Sequence, residues 1–131
     1  MRQGIKSLLG PKLLLGIAIA YTLLITAALL TPITGAPKIE IPFADKMVHL
    51  IINAALFVVW ASYVFSGKTK TTKTYTLPLL FVCTLLYGIL IEVIQGSFIP
   101  TRGADFFDVV ANVCGLILGF FAVKLTKKFI Y

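Results

Sequence analysis

Charge is scarce in this chain. Only 13% of its 131 residues are Asp, Glu, Lys or Arg, and five of these are acidic. An ordinary soluble domain carries roughly 25% charged residues. Polar interruptions are scarce too. Four stretches run for about 20 residues without the polar face of a surface helix, and that length crosses a hydrocarbon layer ~30 Å thick. Strand-like alternation of apolar and polar residues is missing. In lipid only helices and closed barrels satisfy their own backbone, so these stretches are expected to be helices. The two cysteines, Cys83 and Cys114, lie inside apolar runs, with no metal-ligand spacing and no disulfide framework around them. They read as small buried hydrophobes. Internal repeats, low-complexity segments and a separate soluble region are also absent. The basic residues are divided among the termini and one turn, with no stacking platform, which argues against nucleic acid as a partner.

What the chain has in quantity is apolar surface: 59% of residues are hydrophobic, and the mean hydropathy is +0.98. The norm for a globular domain is roughly 45–50%. The expected fold is all-α, a polytopic membrane protein with four transmembrane helices in an antiparallel bundle. It forms a single domain over residues 1–131, with spans at about 13–30, 45–65, 75–95 and 105–125. The first apolar run is longer than the roughly 7–15 residues of a signal-peptide core, so it reads as a retained helix. Within it, Tyr21, Thr22 and Thr26 are expected to bond to backbone or to face neighbouring helices. Pro32, Gly35, Pro37 and Pro42 break the chain after it. Asp45 is placed to cap the second span. Trp60 and Tyr63 near its far end resemble interfacial aromatics. Pro78 falls in the first turn of the third span, where proline is tolerated.

Four spans put both termini on one side. That side, with the 66–74 turn, holds nine of the twelve basic residues and no acid, a net +9. The other side holds Lys38, Lys46, Arg102 and all five acids, a net −2. Positive charge marks the cytoplasmic face. The expected location is therefore a cell membrane, multi-pass, with N- and C-termini cytoplasmic and the acid-bearing ends outward.

Those outer ends carry a polar constellation. Asp45, His49 and Asn53 follow i, i+4, i+8 along the second span, and Lys46 beside them can snorkel to the headgroups. Gly88, Glu92 and Gln95 share a face of the third. Asp105, Asp108 and Asn112 share a face of the fourth, continued by Gly115 and Gly119, a small-xxx-small pair suited to helix packing. Polar stripes in lipid turn toward each other, so a polar pocket is expected beneath the turn bearing Arg102. Arg102 can pair with Glu92 or Asp108, or hold an anionic group of a ligand. The simpler roles have weight. Asp45 and Asp105 fit as helix caps, Gln95 as the cap of its own helix, Asn53 and Asn112 as interhelical hydrogen-bond partners, and a lone His49 as a bonded structural group. Glu92, a turn inside its span, is hardest to dismiss. The ligand-binding candidates are Asp45, His49, Glu92, Gln95, Arg102, Asp105, Asp108 and Asn112, and Gly88, Gly115 and Gly119 serve helix packing. No cofactor is implied.

The order Asp45-Lys46-x-x-His49, Glu92-x-x-Gln95, Pro100-x-Arg102, Asp108 and Asn112-x-x-Gly115-x-x-x-Gly119 resembles the VanZ-like membrane proteins, over about residues 40–120. The founding member of that family is a glycopeptide-resistance accessory protein associated with reduced teicoplanin susceptibility. The resemblance implies the fold, a bacterial origin and an envelope-related role. It supplies no catalytic residues.

Three functions compete. The first is a binding protein that holds an envelope lipid or lipoglycopeptide at the outer leaflet and so contributes to teicoplanin resistance. The second is a small intramembrane enzyme acting on an envelope lipid, with His49, Glu92 and Asp108 as catalytic candidates. A metal on those three residues is conceivable, although no metal motif, nucleophile elbow or phosphatase signature is present. The third is an ion- or proton-coupled transporter, which would need an oligomer to complete a path because the polar residues cluster at one end. The first reading leads, with the enzyme and the transporter as its alternatives.

Overall fold

The computed structural model describes residues 10–32, 43–66, 75–101 and 103–130, the last four by backbone only. All of their regular structure is helical: α1 Pro11–Leu30, α2 Ala44–Ser66, α3 Thr76–Phe98 and α4 Phe106–Ile130. Each is long and apolar enough to cross a membrane. The first loop at 33–42, the basic turn at 67–74 and Arg102 lie outside the described residues.

Local chemistry sets the helix ends. Pro11 opens α1 at a position where its missing N–H costs nothing. Thr31 closes it, with its backbone N–H and its hydroxyl both donating to the Ala27 carbonyl. Pro78 sits in the first turn of α3, as its sequence position predicts. Asp105 caps α4: its Oδ1 accepts the Phe107 N–H at 2.9 Å. Asp45 does not cap α2. The helix begins one residue earlier, so Asp45 lies in its first turn, where an acid still suits the helix dipole. The chain enters this helix through Phe43, whose φ of 66° is unusual for a bulky side chain. Helix α3 also runs further than expected, through Gly96 to Phe98. A side chain at Gly96 would meet the Cβ of Ala104 at 2.5 Å, so glycine here lets the following turn fold back against the helix.

The contacts place the C-terminal ends of α1 and α3 and the N-terminal ends of α2 and α4 together. Gln95 reaches Leu29, and Lys46 reaches Asp108. Helix α2 packs most extensively on α4. Their seam is set by glycine. A Cβ at Gly115 would collide with the Leu50 carbonyl, and one at Gly119 would lie 2.9 Å from the Ala54 carbonyl. The small-xxx-small pair is therefore used within the chain, against α2. Farther along, Phe57, Phe81 and Phe120 pack edge-on or tilted with centroids 6.1–6.4 Å apart, around buried Ala61, Leu116 and Val123. This apolar core fills the other half of the interior.

Helix α1 rests on α2 and α3 and is tied to them by hydroxyls. Tyr21 donates to the Ile52 carbonyl at 3.0 Å, and Thr26 and Tyr87 share a hydrogen bond at 2.7 Å. The Trp60 indole N–H donates to Thr22 at 3.0 Å, so Trp60 is bonded to a neighbouring helix. The outward-facing surface is largely leucine, isoleucine, valine and phenylalanine, as hydrocarbon contact requires. Cys83 and Cys114 lie on that exposed surface, which corrects the expectation that they are buried. Both fall on the faces of α3 and α4 opposite the stripes that carry Glu92 and Asp108.

Candidate functional site

The polar stripes converge as the spacing predicts. His49 and Asn53 from α2, Glu92 and Gln95 from α3, and Asp108 and Asn112 from α4 are each at most 5% exposed. Gly88 makes room for them. A Cβ there would sit 3.2 Å from Asn112 Nδ2 and 3.5 Å from Asn53 Oδ1, so the amides lie directly on the α3 backbone.

A chain of hydrogen bonds fixes their orientation. The His49 backbone carbonyl can only accept, and Asn53 Nδ2 donates to it at 2.9 Å. The same Nδ2 stands 2.7 Å from Asn112, so the Asn112 atom there is the oxygen. That oxygen lies 3.2 Å from His49 Nδ1 and can only accept, so Nδ1 carries a proton. In the neutral ring Nε2 then carries the lone pair. Asp45 Oδ1 and Asp108 Oδ2 each lie 3.8 Å from Nε2, beyond hydrogen-bond range.

Glu92 lies on the Nδ1 side of the same ring, with Oε1 at 3.5 Å. Among the described residues neither of its oxygens has a hydrogen-bond partner of good geometry. The Asp105 backbone N–H is a further polar neighbour. A buried acid so thinly partnered among the described residues is costly, which makes Glu92 a candidate site residue.

Lys46 was expected to snorkel to the headgroups. It instead bridges the N-termini of α2 and α4, with Nζ 2.5 Å from Asp105 Oδ2, 2.6 Å from Asp108 Oδ1 and 3.6 Å from Asp45 Oδ2. This bond holds the Asp105 carboxyl below the usual carboxylate range, helped by the Phe107 N–H. Lys46 thus pairs with Asp108; Arg102, which the sequence also offers as a partner for Asp108, lies outside the described residues. Gln95 caps a helix end, but not its own: its Nε2 donates at 2.7 Å to the Leu29 carbonyl in the last turn of α1, a group with no partner inside that helix.

Above the buried cluster a cleft of about 340 Å³ opens, lined by Asp45, His49, Gln95, Thr101, Gly103, Asp105 and Asp108. Five of these seven are sequence candidates. Glu92 and Asn112 lie beneath it and support His49. Thr101 and Gly103 carried no signal beyond their place in the turn.

The chain matches the VanZ/LLP1 family over residues 13–127, which takes in nearly all of the four helices and every residue of the cluster. The chain belongs to the VanZ/LLP1 family. A relative within reach of sequence comparison is an uncharacterized protein of Schizosaccharomyces pombe, 33% identical over 102 residues. The alignment covers 78% of this chain and 58% of that protein, so the chain spans less than two thirds of its relative's length. Because a yeast protein is among the relatives, similarity of this kind does not mark a chain as bacterial. No solved structure matches significantly.

Proposed function

We propose that the cleft faces the outside of a bacterial cell membrane and holds the polar head of an envelope lipid or of an acyl-bearing glycopeptide such as teicoplanin, and that this binding lowers teicoplanin susceptibility. The observation that carries the proposal is the buried convergence of His49, Glu92, Asp108 and Asn112 from three helices beneath an open cleft at the helix ends. A site at that depth meets headgroups from the side and lets acyl chains stay in lipid. Its lining is rich in acids, with Asp45, Asp105 and Asp108 against Lys46. Such a lining complements amines and sugar hydroxyls, the donors that decorate glycopeptides and glycolipid heads. The charge asymmetry of the chain supports cytoplasmic termini and an outward cleft.

One observation favours a second reading, a small intramembrane enzyme acting on an envelope lipid. His49 stands between Asp45 and Asp108 with Nε2 directed at the cleft, in reach of a proton on a bound head.

The test is expression in a teicoplanin-sensitive bacterium beside Glu92→Gln, Arg102→Ala and Asp108→Asn, each at equal membrane abundance. The native chain is expected to raise the inhibitory concentration of teicoplanin several-fold and the variants to leave it near the host value. Unchanged susceptibility with the native chain contradicts the binding proposal. A changed lipid profile under that condition would favour the enzyme.

A further inference from the structure

We propose that Asp45, His49 and Asp108 form the protein side of a divalent-cation site that opens into the cleft and takes Mn²⁺ or Zn²⁺. The inference goes beyond the ligand proposal and does not depend on it.

The hydrogen-bond chain through Asn53 and Asn112 places a proton on His49 Nδ1 and directs the lone pair of Nε2 at the cleft. His49 is 2% exposed, and among the described residues the polar groups that face its Nε2 are two carboxylates outside hydrogen-bond range. Facing it are Asp45 Oδ1 and Asp108 Oδ2, each at 3.8 Å. Three electron-pair donors thus converge. Lys46 Nζ sits on the far oxygens of both carboxylates, 2.6 Å from Asp108 Oδ1 and 3.6 Å from Asp45 Oδ2, so the oxygens turned toward His49 are the ones a second cation would take.

The spacing fits an ion. The three atoms lie within 4.8 Å of one another. Metal–nitrogen and metal–oxygen bonds of about 2.0–2.2 Å place ligand atoms roughly 3–4 Å apart, so a small closure completes the site. The surroundings fit as well. A ligating imidazole commonly donates its other N–H to an amide or carboxylate, which fixes the ring and raises its basicity. Here Asn112 Oδ1 accepts from Nδ1, and the buried Glu92 carboxylate stands 3.5 Å from the same nitrogen. Lys46 engages Oδ1 of Asp108, which leaves Oδ2 turned toward His49. Asp45, exposed at the rim, offers an entry path.

The donor set selects the ion. One imidazole and two carboxylates suit Mn²⁺ or Zn²⁺, whereas Ca²⁺ takes oxygens alone. Three protein ligands leave coordination positions open, and they face the cleft. An ion there would also offset the excess of acids and give the cleft an electrophilic centre for an oxygen-bearing head.

The chain has a single histidine, which makes the test direct. Tag-free protein in detergent is stripped with chelator, equilibrated with Mn²⁺ or Zn²⁺ alone, and assayed by elemental analysis. Near-stoichiometric binding is expected. X-ray absorption of the Zn²⁺-loaded native protein should show a single imidazole among oxygen ligands, which only His49 can supply. Affinity should fall at least tenfold in His49→Ala and Asp108→Asn, and by ~10–100-fold in Asn112→Ala, which removes the group that orients the ring. The control Ser62→Ala, at a residue whose hydroxyl donates to the Val58 carbonyl in its own helix, should bind as the native protein does. Binding far below stoichiometry, or a spectrum without imidazole, overturns the proposal even if a ligand-site variant fails to fold.

Discussion

Asn112 is the residue on which the buried cluster turns. Its Oδ1 accepts from both Asn53 and His49, and its Nδ2 lies against Gly88. Asn112→Ala removes an acceptor shared by two buried N–H groups; Asn53 Nδ2 keeps its bond to the His49 carbonyl, and His49 Nδ1 is left with Glu92 Oε1 at 3.5 Å. The expected cost is about 1–3 kcal/mol, seen as a lower midpoint of thermal unfolding in detergent. Asn112→Asp keeps an acceptor in place and is expected to cost less. Equal losses would mean that the shared acceptor is not what matters. At this scale the sequence was legible where one helix decides the outcome. The i, i+4 spacing of His49 and Asn53, and the i, i+4 spacing of Asp108 and Asn112, told which side chains share a face. Pairing between helices was not legible. Lys46 read as a headgroup-seeking cation because its partners, Asp105 and Asp108, lie 59 and 62 positions away in sequence, and Gln95 read as a cap for its own helix while it serves α1.

At the scale of elements, the glycines of α4 decide how closely it meets α2. Gly115 lies against the Leu50 carbonyl, and Gly119 against the Ala54 carbonyl and Phe57. The backbone of a neighbouring helix cannot yield as a flexible side chain can. Gly115→Ala is therefore expected to push α2 and α4 apart and to cost more than Gly119→Ala, on the order of 1–3 kcal/mol for an overpacked contact. Gly103→Ala, with nothing within 4 Å of a new Cβ, should be near neutral. Unfolding midpoints of the three variants check the ranking, and similar values for all three would show that the seam does not depend on glycine. Uninterrupted apolar runs revealed the four spans to within a few residues, because the bilayer fixes their length. Their ends were less legible. Helix α3 passes through Gly96 because that glycine packs on Ala104, a tertiary contact that outweighs its local tendency to end a helix. Asp45 resembles a cap, but α2 starts one residue before it.

For the whole molecule, the division of labour is between its two halves. An aromatic and aliphatic core fills the half around Phe57, Phe81 and Phe120. Acids, amides and the only histidine gather at the other end under the cleft. Composition and family membership establish a multi-pass membrane chain. The orientation rests on the charge asymmetry, and the proposed function depends on it, since an envelope ligand reaches the cleft only from outside. The most direct test replaces Cys83 and Cys114 with serine, introduces Thr101→Cys at the lip of the cleft, and exposes intact cells to a membrane-impermeant maleimide. Thr101→Cys is expected to be labelled without permeabilisation. Labelling only after the membrane is opened would place the cleft on the cytoplasmic side and rule out an outward-facing envelope site.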